Sequence, residues 1–465
     1  MTSSRITSPP LVLAALMAGA CGTAPPALPN TTAPPTPAAD ASQPVSEPSL
    51  EELGRKLVES LARGEVEALT TRFDEAMASA LPSEQLAALW TSLEAQGGKL
   101  TGFERVRSEE KDGLTAVIVT AAFERVKLDL RVVFTPQRKV TGFFVQPAKL
   151  DHAYRAPGYA DAASFSEREV TVGEGRWALP ATLTLPKREG KHPVVVLVHG
   201  SGPNDRDETM GPNKPFRDLA HGLATRGIAV LRYDKRTLVH GKALVTELGP
   251  KLTLREETID DALAAAALLR ATPEVDAAQI YVLGHSLGGS AIPRIAKADP
   301  KLAGFVIMAG STLPLADTML RQTRYIAELD GALSSDEEKA LADLEAQVKR
   351  VNALREGDDA TDLLLGVGAA YRLDLARHDP AALIADETRP ILVLQGDRDY
   401  QVTLDDYARW EKALDKKKSA TLKRYAALNH LFVAGEGKST PGEYQVPANV
   451  AEEVVADIAA FVAGP

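Results

Sequence analysis

The stretch YVLGHSLGGS, from Tyr281 to Ser290, decides how the rest of the chain is read. It sets Gly284, Gly288 and Gly289 around a single hydroxyl, Ser286, directly after the apolar run Ile280–Leu283. Glycine weakens regular structure, so three of them here need a reason. The helix-like segment GSAIPRIAKA follows at once. Strand, sharp turn and helix in that order would lift Ser286 out of the chain as a nucleophile, the glycines letting backbone approach where a Cβ would clash. A plain tight turn would use the same glycines. Outward from this point the runs PVVVLVHG, IAVLRYD, GFVIMAG and ILVLQGD recur, separated by helix-length segments. Continuous Val/Ile/Leu runs spaced in this way predict a mostly parallel sheet, buried on both faces by helices. No repeat at a fixed period is present.

At 465 residues the chain predicts two domains plus extensions. It is 45% hydrophobic and 25% charged, with a net charge of -10 and no basic cluster, a balance that does not favour nucleic acid. The single cysteine, Cys21, excludes an internal disulfide framework and a zinc site built on several thiolates. No H-E-x-x-H, P-loop or dinucleotide fingerprint occurs. Asp205 and Asp207 in NDRDE lack the glycine and terminal Glu of a calcium loop, so neither metal nor cofactor is expected. Arg206 between them reads as the centre of a local ion-pair network with its acidic neighbours.

Ahead of Cys21, Arg5 and the run LVLAALMAGA suit a signal peptide over residues 1–20, the run being too short for a comfortable membrane span. Ala18-Gly19-Ala20-Cys21 resembles the lipobox of bacterial lipoproteins. That resemblance implies export, with a lipidated Cys21 attaching the protein to a membrane at the cell envelope. A periplasmic or secreted protein with an incidental cysteine is the alternative. Residues 21–48, rich in Pro, Ala and Thr, cannot bury enough apolar surface to order themselves and read as a tether. Residues 49–150 read as a small α+β domain, with helices near 53–63 and 86–95. Its strands fall near 100–107, 115–122, 126–134 and 140–145. In VKLDLRVVF, Val126, Leu128, Leu130 and Val132 alternate with Lys127, Asp129, Arg131 and Val133, the pattern of a half-buried strand. Residues 151–465 form the second domain, with a helical insertion at about 312–380. There Ser335 and Glu338 can make a capping box, and Leu341, Leu344, Val348, Val351 and Leu354 mark one face of a long helix.

A serine nucleophile needs a base and an orienting acid. Of eight histidines, only His430, in ALNHLF, follows the last apolar run, and His285 reads as a packing or hydrogen-bonding residue. Asp397 and Asp399, in GDRDYQV, are both placed to supply the acid. An oxyanion hole needs backbone N–H groups aimed at the developing charge. Leu287, after the nucleophile, offers one, and Ser201, in the loop His199-Gly200-Ser201-Gly202, offers the other.

With GHSLGG and HGSGPNDRD in place, the region from about Val170 to Pro465 resembles the α/β-hydrolase superfamily, and within it bacterial serine esterases carrying HGSGPxDRD after a strand. The small domain resembles the cone-shaped domains that precede hydrolase domains in secreted proteins. The resemblance implies an α/β-hydrolase fold with a helical cap, and triad order Ser286, acid, His430. It places the acid three residues after a glycine and three before an apolar residue, which selects Asp399 between Gly396 and Val402. The implied reaction is acyl transfer to water from a small-molecule ester, with specificity set by the insertion and the loop after Gly202. Tyr371 and Arg372 there are either pocket-facing or ordinary helix residues. A serine peptidase of oligopeptidase type is the first alternative, although about one hundred residues are too few for the β-propeller such enzymes often carry. A hydrolase-fold binding protein without catalysis is the second. Serine in the turn disfavours dehalogenases and epoxide hydrolases, which need Asp there, and dienelactone-type enzymes, which need Cys.

Overall fold

The computed structural model describes residues 48–464 apart from 112, 125, 149–153, 330 and 356–367. The leader, Cys21 and nearly all of the tether lie outside the described residues. The chain divides into two compact units, separated in sequence between residues 151 and 152.

The first unit carries an antiparallel meander of β1 (Leu100–Lys111), β2 (Leu114–Phe123), β3 (Lys127–Phe134) and β4 (Val140–Pro147), in that order. The helix Leu50–Ala62 opens with a capping box between Ser49 and Glu52. Its Leu53, Leu57, Val58 and Leu61 pack on Val117, Val119, Leu130 and Val132 of the sheet. Short helices at Glu67–Thr70 and Glu75–Ala80 and a longer one at Ser83–Gly97 complete the unit. Asp129 departs from the expected outward alternation. It is fully buried, accepting hydrogen bonds from Thr120 Oγ1 at 2.6 Å and Arg107 at 2.7 Å, the partners a buried carboxylate requires.

The second unit is built on an eight-stranded sheet of order β12-β11-β10-β9-β7-β8-β6-β5. Its strands are β5 (Phe165–Val172), β6 (Leu179–Pro186), β7 (His192–Val198), β8 (Ala229–Tyr233), β9 (Val275–His285), β10 (Gly304–Met308), β11 (Ile391–Gly396) and β12 (Ala420–Tyr425). The strands from β7 to β12 pair in parallel, while β5 and β6 add an antiparallel hairpin at one edge. Val194, Val196 and Val198 of β7 face the helices Asp260–Arg270, Leu287–Ala298 and Leu404–Leu414. Val195 and Leu197 face Pro215–Thr225 and Glu452–Ala463. Each central strand therefore buries both of its side-chain rows, which is why its sequence is unbroken Val and Leu rather than alternating.

Between β10 and β11 the chain inserts helices Leu315–Ala327, Ser335–Asn352, Ala369–Ala376 and Pro380–Ile384. Leu344, Val348, Val351 and Leu354 of the expected apolar stripe pack on Ala316 and Leu320 of the first insertion helix. The capping box lies one residue earlier than expected, on Ser334 and Glu337. Both Ser-x-x-Glu registers exist in the sequence, and the fold uses the first.

Candidate active site

Ser286 follows the last residue of β9 and opens the helix Leu287–Ala298, with φ 54° and ψ -114°. A serine in the left-handed region costs about 1–3 kcal/mol and persists only where its surroundings over-determine it. Here they do. Ser286 N–H donates to Met308 O at 3.0 Å, and Ser290 N–H donates to Ser286 O at 3.0 Å. A Cβ on Gly284 would overlap Gly288 backbone, and one on Gly288 would overlap the Val198 carbonyl. The glycines thus let strand, turn and helix interpenetrate. A Cβ on Gly200 would lie 3.1 Å from Ser286 Cβ, so the loop after β7 passes directly across the serine.

His430 lies in the turn after β12 and is 3% exposed. The Asn429 side chain shapes that turn by accepting from Leu431 N–H at 3.0 Å and Val433 N–H at 3.2 Å. His430 Nδ1 lies 2.7 Å from Asp399 Oδ2. Asp399, also buried, is fixed through its other oxygen by Gln401 N–H at 2.8 Å and Val402 N–H at 3.0 Å. Gln395 Nε2 adds a bond to Oδ2 at 3.3 Å. Asp397 points elsewhere, holding Arg424 at 2.9 Å and 3.0 Å on a partly exposed surface. Of the two aspartates left open by the residues alone, Asp399 is the one in contact with His430.

His285, the residue before Ser286, packs against His430. The His285 ring lies 4.6 Å from the His430 ring, and its Nε2 donates to His430 O at 3.0 Å. His285 Nδ1 approaches Glu208 Oε2 to 2.9 Å, an ion pair off the line of an ideal hydrogen bond. Burial works against protonation of His285, but the Glu208 carboxylate outweighs it and raises the imidazole above its ordinary range. Glu208 is lowered correspondingly: burial alone would raise it, and His285 and the bond from Gly200 N–H overcome that. His199, by contrast, is pushed down to about 4, chiefly by burial. Its Nε2 lies 3.0 Å from Asp205 O.

The backbone N–H groups of Ser201 and Leu287 have no hydrogen-bond partner among the described residues. Among the described residues no group of three or more His, Cys, Asp or Glu side chains is placed to hold a metal ion. One expectation is corrected. Arg206 does not pair with its sequence neighbours: it bonds Glu169 of β5, Thr182 of β6 and Asp234 after β8. Asp207 instead takes Lys214 and Arg232, and Asp205 accepts from Thr209 within the loop. Tyr371 is buried, its hydroxyl donating to Glu257, and together with Arg372 it borders a cavity beside Pro314 and Val351. Glu208, Gln395 and Asn429 were not singled out by the sequence. Only Glu208, inside the HGSGPNDRDE run, lay close to a recognised motif.

A mostly parallel eight-stranded sheet with helices on both faces, a strained serine at the end of β9 and a buried His–Asp pair after β11 and β12 define an α/β-hydrolase. The chain belongs to the alpha/beta hydrolase family, whose model matches residues 195–443. Residues 55–143 match a second model, described as a protein of unknown function, DUF3887. Esterase EstD of Thermotoga maritima is 39% identical over 386 residues, covering 82% of this chain and 88% of that protein. Among solved structures, the hyperthermophilic esterase from Pyrobaculum calidifontis is 17% identical, with 64% of this chain and 82% of that one covered at a TM-score of 0.42. Est1E from Butyrivibrio proteoclasticus is 18% identical, with 62% and 96% covered at a TM-score of 0.39.

Proposed function

We propose that the protein is a serine carboxylesterase acting through an acyl-enzyme. The observation that carries this reading is the buried 2.7 Å contact between His430 and Asp399 beside a serine held in a strained turn. Ser286 Oγ attacks the ester carbonyl carbon while His430 Nε2 takes the hydroxyl proton. The carbonyl oxygen becomes an oxyanion facing the N–H groups of Ser201 and Leu287. Collapse of the tetrahedral species breaks the ester C–O bond, and His430 returns the proton to the departing alcohol. Water then attacks the acyl carbon, again giving its proton to His430, and the acid leaves with Ser286 restored. Asp399 holds Nδ1–H and stabilises the imidazolium that forms at each step.

The identity to Esterase EstD supports an ester as substrate. The first insertion helix limits access from one side, since Tyr325 and Ile326 pack with Tyr400 and Leu431, the neighbours of Asp399 and His430. The small first unit serves as a scaffold or partner-contact module. The apolar run before Cys21 supports export with lipid attachment at the envelope. The test is hydrolysis of nitrophenyl esters of increasing acyl length beside peptide anilides, by wild type and Ser286→Ala. Ester turnover lost in the variant is expected. Turnover of anilides alone would favour a peptidase, and no turnover of any substrate would favour a binding role.

A further inference from the structure

The Gly200–Ser201 peptide presents Ser201 N–H, the oxyanion donor proposed above, and the present inference rests on that reading. The same peptide's carbonyl oxygen is held from behind. Lys235, only 2% exposed, donates from Nζ to Gly200 O at 2.7 Å. Asn204 Nδ2 reaches the same oxygen at 3.3 Å. Lys235 Nζ also lies 2.6 Å from Glu257 Oε1, and the backbone N–H of Lys235 donates to Asn204 O at 3.0 Å. Glu257 in turn accepts from Tyr371 of the insertion helix Ala369–Ala376.

We infer that Lys235 is a positioning residue of the oxyanion hole. None of the described peptide bonds is cis, so Gly200 O and Ser201 N–H point in opposite directions across one planar unit. Pinning the oxygen therefore fixes the direction of the N–H. Such a pin has something to prevent: glycines flank Ser201 on both sides, and Gly202 has φ 92°. A peptide between such residues can rotate, which would turn the oxygen rather than the N–H toward the serine. A charged donor does more than a neutral one. An ammonium bound to the carbonyl in a dry environment polarises the amide and strengthens the N–H as a donor. Glu257 keeps the ammonium buried and aimed, and Tyr371 ties that carboxylate to the insertion. Gly200 is also held at its other end, where its N–H donates to Glu208 Oε1 at 2.7 Å. Two separate buried ionic groups thus clamp one residue of the loop that crosses Ser286.

The test uses the full chain, with Lys235→Met and, because that change leaves Glu257 buried without its cation, the double variant Lys235→Met/Glu257→Gln. Hydrolysis of p-nitrophenyl acetate is measured beside inhibition by an aryl trifluoromethyl ketone, whose serine adduct places an oxyanion in the hole. Removing an oxyanion donor outright costs roughly 10²–10³ in kcat, so loosening one should cost roughly tenfold or more. The expected result, in whichever variant keeps a cooperative melt, is that loss in kcat with KM nearly unchanged and a parallel rise in the ketone's inhibition constant. A folded variant with kcat within twofold of wild type would overturn the assignment. So would a fall in kcat with ketone inhibition unchanged, which would mark a general structural effect. Ser286→Ala separates the two levels. Hydrolysis that survives Ser286→Ala would overturn the esterase reading and this assignment with it. Hydrolysis abolished in Ser286→Ala but intact in the folded lysine variants would overturn this assignment alone.

Discussion

Replacing Asp399 by Asn tests the triad at its least redundant point, because the surroundings dictate which way the new amide faces. Asp399 Oδ1 accepts two backbone N–H groups, from Gln401 and Val402, while Oδ2 faces His430 and Gln395. An asparagine must keep its oxygen toward the two N–H donors. Turning it round would leave both unpaired in a buried turn, at about 1–3 kcal/mol each. The opposing loss is one bond from Gln395 at 3.3 Å. The carboxamide NH2 is therefore directed at His430 Nδ1, which must accept, and the single ring proton moves to Nε2. That is the atom required to take the proton of Ser286. Wrong tautomer with intact geometry costs roughly 10⁴ in kcat where a serine-protease triad Asp becomes Asn, about 5 kcal/mol of barrier. A comparable fall is expected here. The companion variant Asp397→Asn touches only the Arg424 pair, whose side chains are 27% and 46% exposed, and should change kcat by no more than about twofold. Steady-state kinetics on a nitrophenyl ester measure both. Retention of more than about a tenth of kcat in Asp399→Asn, or a larger loss in Asp397→Asn, would refute the reasoning.

Glu208→Gln leaves His285 without its carboxylate and should destabilise the fold by roughly 3–5 kcal/mol, read by chemical denaturation. The pH dependence has a defined sign. His285 is raised above 6.5, so its contribution is full below that value and is lost as pH climbs through the folded one. Glu208 is lowered below 4.5, so its contribution is full above that value and is lost as pH falls through the folded one. The gap between wild type and Glu208→Gln should be widest between about 4.5 and 6.5 and narrow on either flank, and a gap constant from pH 3 to 9 would contradict the pairing. Gly288→Ala drives a methyl into the Val198 carbonyl and should prevent folding or abolish turnover; soluble yield, melting and activity check it.

Much of this architecture is legible in the sequence because buried parallel strands advertise themselves. PVVVLVHG and ILVLQGD need both rows of side chains apolar, and that requirement writes the pattern. The hairpin of β5 and β6 is not legible in the same way. FSEREVTV lies at the sheet's edge and exposes most of its residues, so nothing forces an unbroken apolar run. The contact of His430 with Asp399 was legible only in part: the residues leave Asp397 and Asp399 both open after the same strand, and only the resemblance to α/β-hydrolases selects Asp399. Glu208 and Lys235 were missed for a different reason. Each acts on a backbone atom of Gly200, and a side chain's claim on a distant carbonyl or N–H leaves no mark in residue type. Arg206 shows the same limit: proximity in sequence suggested Asp205 and Asp207, while the strand order delivered Glu169 and Asp234.

The central claim is that Ser286 forms a covalent acyl intermediate, and covalent trapping tests it most directly. The full chain would be incubated with diethyl p-nitrophenyl phosphate and mapped by peptide mass spectrometry. The account predicts one diethylphosphoryl group per chain, on Ser286, formed in step with loss of ester hydrolysis. A folded, hydrolytically active protein that carries no adduct on Ser286, or stays active once Ser286 is fully modified, would contradict it.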